Sequence, residues 1–234
     1  MKHTIYVGVF ISYCLLLHKS PSGFDNNVEA INTNEIKFFP IGDSYTIGEG
    51  AGEKYSWPAL LTNHLSDSGI KIKLIANLSH TGFTTQNAID AELPLFIKSK
   101  PDFATLLIGV NDWVQGIDEK IFRKNLVYLI DKMQNAMTNK SKLLLVTIPD
   151  FSAAPSGNHY ARGRNISEGL KRFNNIIKEE AAKRNLKVVD IFDLSKEMGK
   201  DPSLVADDGL HPSAKEYALW EEKIFPVSFD LLKR

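Results

Sequence analysis

Along most of the chain, compact apolar runs alternate with longer stretches in which apolar residues recur every three or four positions. The runs at Ile36–Ile41, Ile70–Ala76, Phe103–Ile108, Leu143–Ile148 and Val188–Ile191 predict strands. Between them, Trp57–Ser66, Gln86–Ile97, Ile117–Met137 and Ser167–Arg184 predict helices, and a last helix is expected over Ser213–Phe229. In the longest, Ile121, Leu126, Leu129, Ile130 and Met133 form the apolar face, with Lys124, Asp131 and Lys132 turned away. Ser213, after Pro212 and with Glu216 three residues on, has the pattern of a capping box. Strand–helix alternation means βα units and hence a parallel sheet covered on both faces. Five strands fit a single domain, and no linker or internal repeat interrupts the pattern. Pro40 is the misfit, because proline cannot donate to a sheet ladder. The first strand is therefore expected to be irregular there or to end.

The opening of the chain obeys a different rule. Lys2 and His3 precede an apolar run from Ile5 to Leu17, and the more polar His18-Lys19-Ser20-Pro21-Ser22 comes next. The run is shorter than the ~20 residues of a membrane span and matches an export signal cut before Gly23. Residues 1–22 are thus expected to be a signal peptide and residues 23–234 the mature domain, periplasmic or secreted, with a polar lead-in from Gly23 to Asn34. An uncleaved tether or a buried first helix would be the alternative. A lipid anchor on Cys14 would have the bulky Tyr13 before it and the apolar run continuing past it.

Lys plus Arg and Asp plus Glu both number 28, so the whole chain is formally neutral. Loss of residues 1–22 takes Lys2 and Lys19 and no acid, leaving 26 basic against 28 acidic side chains. A duplex nucleic-acid binder needs a basic excess to displace counterions, and there is none. Cys14 is the single cysteine, which excludes a disulfide framework and a Cys-rich zinc site. Its removal leaves oxygen and nitrogen as the only nucleophiles. Gly48-x-Gly50-x-Gly52 is followed by Glu53 and fails the dinucleotide-binding spacing, and no Gly-Lys-Ser/Thr phosphate loop occurs. Asp207, Asp208 and His211 are too close together, and lack a distant fourth partner, to argue for a metal.

In an open parallel α/β sheet, ligands bind beyond the carboxyl ends of the strands. Gly42-Asp43-Ser44-Tyr45 comes after the first predicted strand and Asn77 to Gly82 after the second. Gly109-Val110-Asn111-Asp112 comes after the third, and Asp207 to Pro212 lies beyond the fifth. One rim thereby collects a hydroxyl, a glycine, a carboxamide and an Asp/His pair. Ser44 needs a base to act as a nucleophile, and His211 is the natural one, because imidazole titrates near neutrality. Asp208 is placed to hold the other ring nitrogen. The Ser44 and Gly82 amides and the Asn111 side chain are candidate donors to a developing oxyanion, with Gly82 allowing close approach of its backbone. Asp43 is expected to be structural, Asp112 to cap the next segment of chain, His64 to lie on the surface and His80 near the rim. The segment from Asp150 to Asn165, with His159, Tyr160, Arg162 and Arg164, is expected to be an ordinary solvated loop after the fourth strand, with shaping of the substrate entrance as the alternative.

Gly42-Asp43-Ser44, Gly82, Gly109-x-Asn111-Asp112 and Asp208-x-x-His211, in this order, resemble the four blocks of the SGNH (GDSL-type) hydrolase superfamily, over roughly Ile36 to Pro226. GDSYTIGEG, IPDFS and DGLHPSAKEYALW are similar to a bacterial esterase or lysophospholipase-like subgroup. Tyr45 stands where many members have leucine. The resemblance implies a three-layer αβα sandwich on a five-stranded parallel sheet, flavodoxin-like in topology. It implies hydrolysis of small-molecule esters (acyl esters, lysophospholipids or acetylated sugars) with no metal or cofactor and no stable membrane insertion of the mature chain. Carried over by position, Ser44 is the nucleophile, His211 the base, Asp208 its orienting acid, and Ser44, Gly82 and Asn111 the oxyanion hole. A carbohydrate deacetylase and a non-catalytic flavodoxin-like binding module are the competing readings.

Overall fold

The computed structural model describes Met1 and residues 35–233, so the expected signal peptide and lead-in lie outside the described residues. The unit from Asn34 onward is built on five strands, β1 (Ile36–Gly42), β2 (Ile72–Leu74), β3 (Phe103–Leu107), β4 (Leu143–Val146) and β5 (Lys187–Val189). All pairings are parallel, in the order β2-β1-β3-β4-β5. The helices are α1 (Ser44–Ile47), α2 (Trp57–Asp67), α3 (Thr85–Asn87), α4 (Leu93–Ser99), α5 (Val110–Gln115), α6 (Glu119–Ala136), α7 (Ile166–Lys183) and α8 (Ala214–Leu232). One layer packs α2 on α8, and the other packs α4 on α6 and α6 on α7. Covered on both sides, β3 and β4 are wholly buried, which is why their sequences are apolar runs without alternation. The expected three-layer αβα sandwich is the fold observed.

β1 does not break at Pro40. It runs straight through, with Pro40 opposite Thr105 of β3. The reason lies in the direction each residue faces. Phe38 accepts from Ile75 N–H at 3.0 Å, so residues 38, 40 and 42 present their backbone groups to the β2 side. β2 stops opposite Phe38, so at Pro40 there is no ladder bond to lose.

Other expectations shift locally. On α6 the apolar stripe begins with fully buried Phe122, while Ile121 is 53% exposed, so the face is rotated by one residue at its start. The Ser213 side chain does accept from Glu216 N–H, but the reciprocal half of the capping box is missing. The Glu216 carboxylate instead accepts from Trp220 Nε1 at 2.6 Å inside the core. The helix expected over Gln86–Ile97 is α3 and α4 joined by a π-helical turn, Ala88–Glu92.

Candidate active site

The sheet order reverses direction between β1 and β3, and in such sheets the crevice opens at that reversal. Ser44 comes directly after β1 and Asn111 after β3, so both stand at its mouth. Ser44 opens the four-residue α1, and Asp43 before it accepts the Tyr45 N–H at 3.1 Å, capping the turn. The turn is held from two sides. Tyr217 of α8 donates its hydroxyl to Glu49 O at 3.1 Å, and Asn77 Nδ2 donates to Thr46 O at 2.9 Å. Ser44 is buried except for the face it shows to the crevice.

His211 lies on a short loop closed by the Val205–Pro212 bridge. Asp208 Oδ1 accepts the backbone N–H groups of Leu210 and His211 at 2.8 and 2.9 Å, and Oδ2 lies 2.6 Å from His211 Nδ1. Partial burial works to raise the Asp208 carboxyl, but the hydrogen bonds from the His211 ring and these two amides outweigh it. Asp208 therefore titrates below the usual carboxylate range. An ionised acceptor at Nδ1 fixes the proton there and leaves Nε2 as the basic nitrogen. The Tyr45 ring meets the imidazole edge-on with centroids 5.6 Å apart, and is itself backed by Trp220 at 5.8 Å in a tilted contact. Gly50 adds a wall. A Cβ there would come within 2.5 Å of Ala206 Cβ and 3.2 Å of His211 Cβ, at a φ of +84°. Gly50, the middle glycine of the run that fails the nucleotide-binding spacing, thus lets the loop after Ser44 close against the histidine loop.

Gly82 and Asn111 face Ser44 across the crevice. Gly82 has φ +85°, and an added Cβ would meet no protein atom within 4 Å. The position therefore demands left-handed backbone rather than close packing within the protein. Asn111 Nδ2 donates one hydrogen to Phe83 O at 3.0 Å, which ties α5 to the Gly82 loop and leaves the second hydrogen free to act. The backbone N–H groups of Ser44 and Gly82 form no hydrogen bond among the described residues.

Asp112 does not cap the segment after it. Fully buried, it accepts the Thr85 N–H at 2.8 Å and the Thr85 hydroxyl, fastening α5 to the start of α3. Asp43 is also fully buried, and that burial, with the Asp112 charge adding to it, pushes its carboxyl up to about 8 despite the Tyr45 amide. Arg164 turns away from the crevice. It donates to Trp113 O and Val114 O at the end of α5 and stacks over the Trp113 ring at 4.0 Å. His64 stacks on Phe225 at 3.6 Å, far from this chemistry in sequence and on the α2–α8 layer. His80 is exposed and stacks on Phe83.

Ser44, Gly82, Asn111 and His211 line one cavity of about 190 Å³, with Asp208 behind the imidazole. In this structure the Ser44 hydroxyl and the imidazole Nε2 are not hydrogen-bonded to each other, and such contacts often tighten only when substrate binds. Val110, Val114, Phe151, Tyr160 and Leu210 supply the apolar remainder of the lining. Phe151 and Tyr160 come from the loop after β4, and their edge-to-face contact, centroids 6.4 Å apart, braces that side. The loop of residues 150–165 thus reaches the entrance through Phe151 and Tyr160.

The profile of the GDSL-like lipase/acylhydrolase family matches residues 41–219, three quarters of the chain and all four motif blocks. The chain belongs to that family, a branch of the SGNH hydrolases. It is 27% identical over 244 aligned positions to an acetylxylan esterase of Xylanibacter ruminicola, covering 91% of this chain. The chain spans about half the length of that relative, 47%. A crystal structure of a lipase/acylhydrolase from Enterococcus faecalis superposes with a TM-score of 0.68 at 25% identity, over 84% of this chain and 97% of the other. A family 3 carbohydrate esterase of Clostridium thermocellum superposes with a TM-score of 0.64 at 21% identity, over 85% and 100%, which shows a shared fold. The reaction class that goes with the family is carboxylic ester hydrolysis. Among the described residues, no helix is long and apolar enough to cross a membrane.

Proposed function

We propose that the protein is a serine esterase working through an acyl-enzyme on Ser44. The observation that carries this is the single cavity that Ser44, Gly82, Asn111 and His211 share, with Asp208 Oδ2 2.6 Å from the imidazole. His211 Nε2 takes the Ser44 proton as the hydroxyl oxygen attacks the ester carbonyl. The carbonyl oxygen becomes an oxyanion that receives the Ser44 and Gly82 amides and the free hydrogen of Asn111 Nδ2. The imidazolium, steadied by Asp208, then protonates the leaving alcohol as the tetrahedral adduct collapses to the Ser44 ester. A water deprotonated by His211 attacks that ester, and Ser44 regains its proton as the acid leaves. Replacement of Ser44 by Ala is expected to lower kcat on the order of 10³-fold or more with Tm unchanged. An unchanged rate refutes the assignment, and stable labelling of Ser44 by a phosphonate ester supports it over a non-catalytic module.

The substrate reading is a short acyl group, acetyl foremost, on a carbohydrate. A cavity of about 190 Å³ is small beside the ~300–1,000 Å³ of sites that enclose drug-sized ligands. It is large enough for an acetyl group. The likeness to an acetylxylan esterase points the same way. In a panel of aryl esters, kcat/KM is expected to fall from acetyl to octanoyl, and acetylated xylo-oligosaccharide to be deacetylated. A preference for long chains or for lysophospholipid overturns this reading and leaves the Ser44 chemistry intact. Export through residues 1–22, with residues 23–234 as the mature domain, completes the proposal and is checked by the N-terminal sequence of the released protein.

A further inference from the structure

β1 runs four residues beyond the end of β2, and the Ser44 turn starts at its tip. On the side that β2 vacates, residues 40 and 42 face no strand. Pro40 brings no N–H to satisfy, but Gly42 does, and its N–H donates to Glu92 Oε2 at 3.3 Å. The same oxygen accepts the Ser79 hydroxyl at 3.2 Å. Ser79 belongs to the loop that ends in Gly82, and Gly42 stands two residues before Ser44. One carboxyl, fully buried, therefore stands in for the missing strand and bridges the two segments that face each other across the crevice. It arrives there from the π-helical turn Ala88–Glu92, and such turns insert one residue into a helix and redirect the side chains around it.

We propose that Glu92 is a positioning residue of the esterase site, setting the Ser44 turn in register with the Gly82 amide. The inference rests on Ser44 and Gly82 acting in the esterase reaction proposed for them. The tip of β1 is closely packed around Gly42, since a Cβ there would collide with Thr46 Oγ1 and fall 2.6 Å from Leu107 O. Burial holds the Glu92 carboxyl well above the usual range, outweighing the Gly42 and Ser79 hydrogen bonds, with the Asp43 charge pushing the same way. A carboxamide of the same size can accept the same two hydrogen bonds, whereas an alkyl side chain cannot.

Three variants of the full chain test this: Glu92→Gln, Glu92→Leu and the milder Ser79→Ala. Each is assayed for aryl acetate hydrolysis and for the rate of Ser44 labelling by a phosphonate ester, well below its own Tm. Glu92→Leu is expected to lose on the order of 10- to 100-fold in kcat and in labelling rate, with KM little changed, as for a displaced reacting geometry. Glu92→Gln is expected to stay within about threefold of the parent, and Ser79→Ala to fall between them. A general loosening would move Tm alike in all three without this ordering or the kcat-only loss. The proposal is overturned if Glu92→Leu labels and turns over like the parent, or if Glu92→Gln fails as badly as Glu92→Leu while folded. Should Glu92→Leu not fold, Ser79→Ala decides, a rate equal to the parent counting against the bridge. A parent protein that is never labelled at Ser44 refutes the esterase reading itself, which separates the two failures.

Discussion

Asp208 turns one oxygen to two backbone amides of its own loop and the other to the imidazole, so it both shapes the loop and orients the ring. Asp208→Asn keeps the size but offers an N–H where Nδ1 needs an acceptor, which favours the wrong tautomer. The expected result is a loss on the order of 10³-fold in kcat with a fold that still melts cooperatively, measured by steady-state kinetics beside a thermal melt. Gly50 tests the same ring from behind. Alanine there must adopt φ near +84° and push against Ala206 and His211. The left-handed backbone alone costs ~1–2 kcal/mol, so Gly50→Ala is expected to lower Tm by several degrees and kcat with it. At Gly52, where φ is +87° and a Cβ would meet nothing, alanine carries the backbone strain without touching the ring. A comparison of the two variants isolates the contact: if Gly50→Ala and Gly52→Ala lose equal activity, the packing against His211 is not what matters.

Helices α6 and α7 are clamped by one acid. Glu180, buried on α7, receives Arg123 of α6 at 2.6 Å and Lys183 and Arg184 of its own helix at 2.7 and 2.8 Å. Burial alone would raise its pKa, but the hydrogen bonds from Lys183, Arg184 and Arg123 bring it down to about 2. Unfolded, the carboxyl takes up a proton near its ordinary 4.5, so this contribution is whole above that pH and fades as pH falls toward about 2. Glu180→Gln is expected to cost on the order of 2 kcal/mol at pH 7 and less than half of that at pH 3, read from urea midpoints at both. A cost independent of pH would mean packing, not charge, holds the pair. Elements of this length were legible in the sequence. Eighteen residues of α6 or α7 repeat the helical period often enough to declare it, and the buried strands announce themselves as apolar runs. α1 and α5, at four and six residues, are too short to show any period, though they carry Ser44 and Asn111. Ser44 and Asn111 could be placed at the crevice from the sequence because their motif blocks directly follow β1 and β3, whereas Asp208 and His211 lie well past β5 and were tied to them by the order of the blocks. Glu92 could not be placed, because its partners lie 50 and 13 residues away and only the π-turn brings its side chain inward. Pro40 misled for a related reason: whether its missing N–H matters depends on where the neighbouring strand stops.

The whole molecule carries an opposition between stability and catalysis in its dependence on pH. Glu216 is fully buried and bonded to Trp220, and burial, with the Glu197 charge adding to it, raises its carboxyl to about 7. Asp43, under the Ser44 turn, is raised to about 8, and Glu92 and Asp112 shift in the same direction, burial leading in each. Between the ordinary carboxylate range and these raised values, the folded chain holds protons that the unfolded chain has released. Stability is therefore fullest at the acidic end of that window and declines as pH rises through it. The Glu180 clamp weakens only below that range, so the two effects leave a maximum near pH 4–5. Catalysis runs the other way, since His211 must be unprotonated to accept the Ser44 proton. The urea midpoint is expected to fall from pH 5 to pH 8, whereas kcat/KM for an aryl acetate is expected to fall on acidification as the general base takes up a proton. Glu216→Gln removes one titrating group without touching the crevice, and should raise the pH 8 midpoint by an amount equivalent to about 2–3 kcal/mol while leaving kcat/KM unchanged. If that variant keeps the parent's slope of stability with pH, Glu216 is not among the groups that set it. If kcat/KM instead falls along with stability from pH 5 to pH 8, loss of the fold and not the state of the imidazole governs the activity profile.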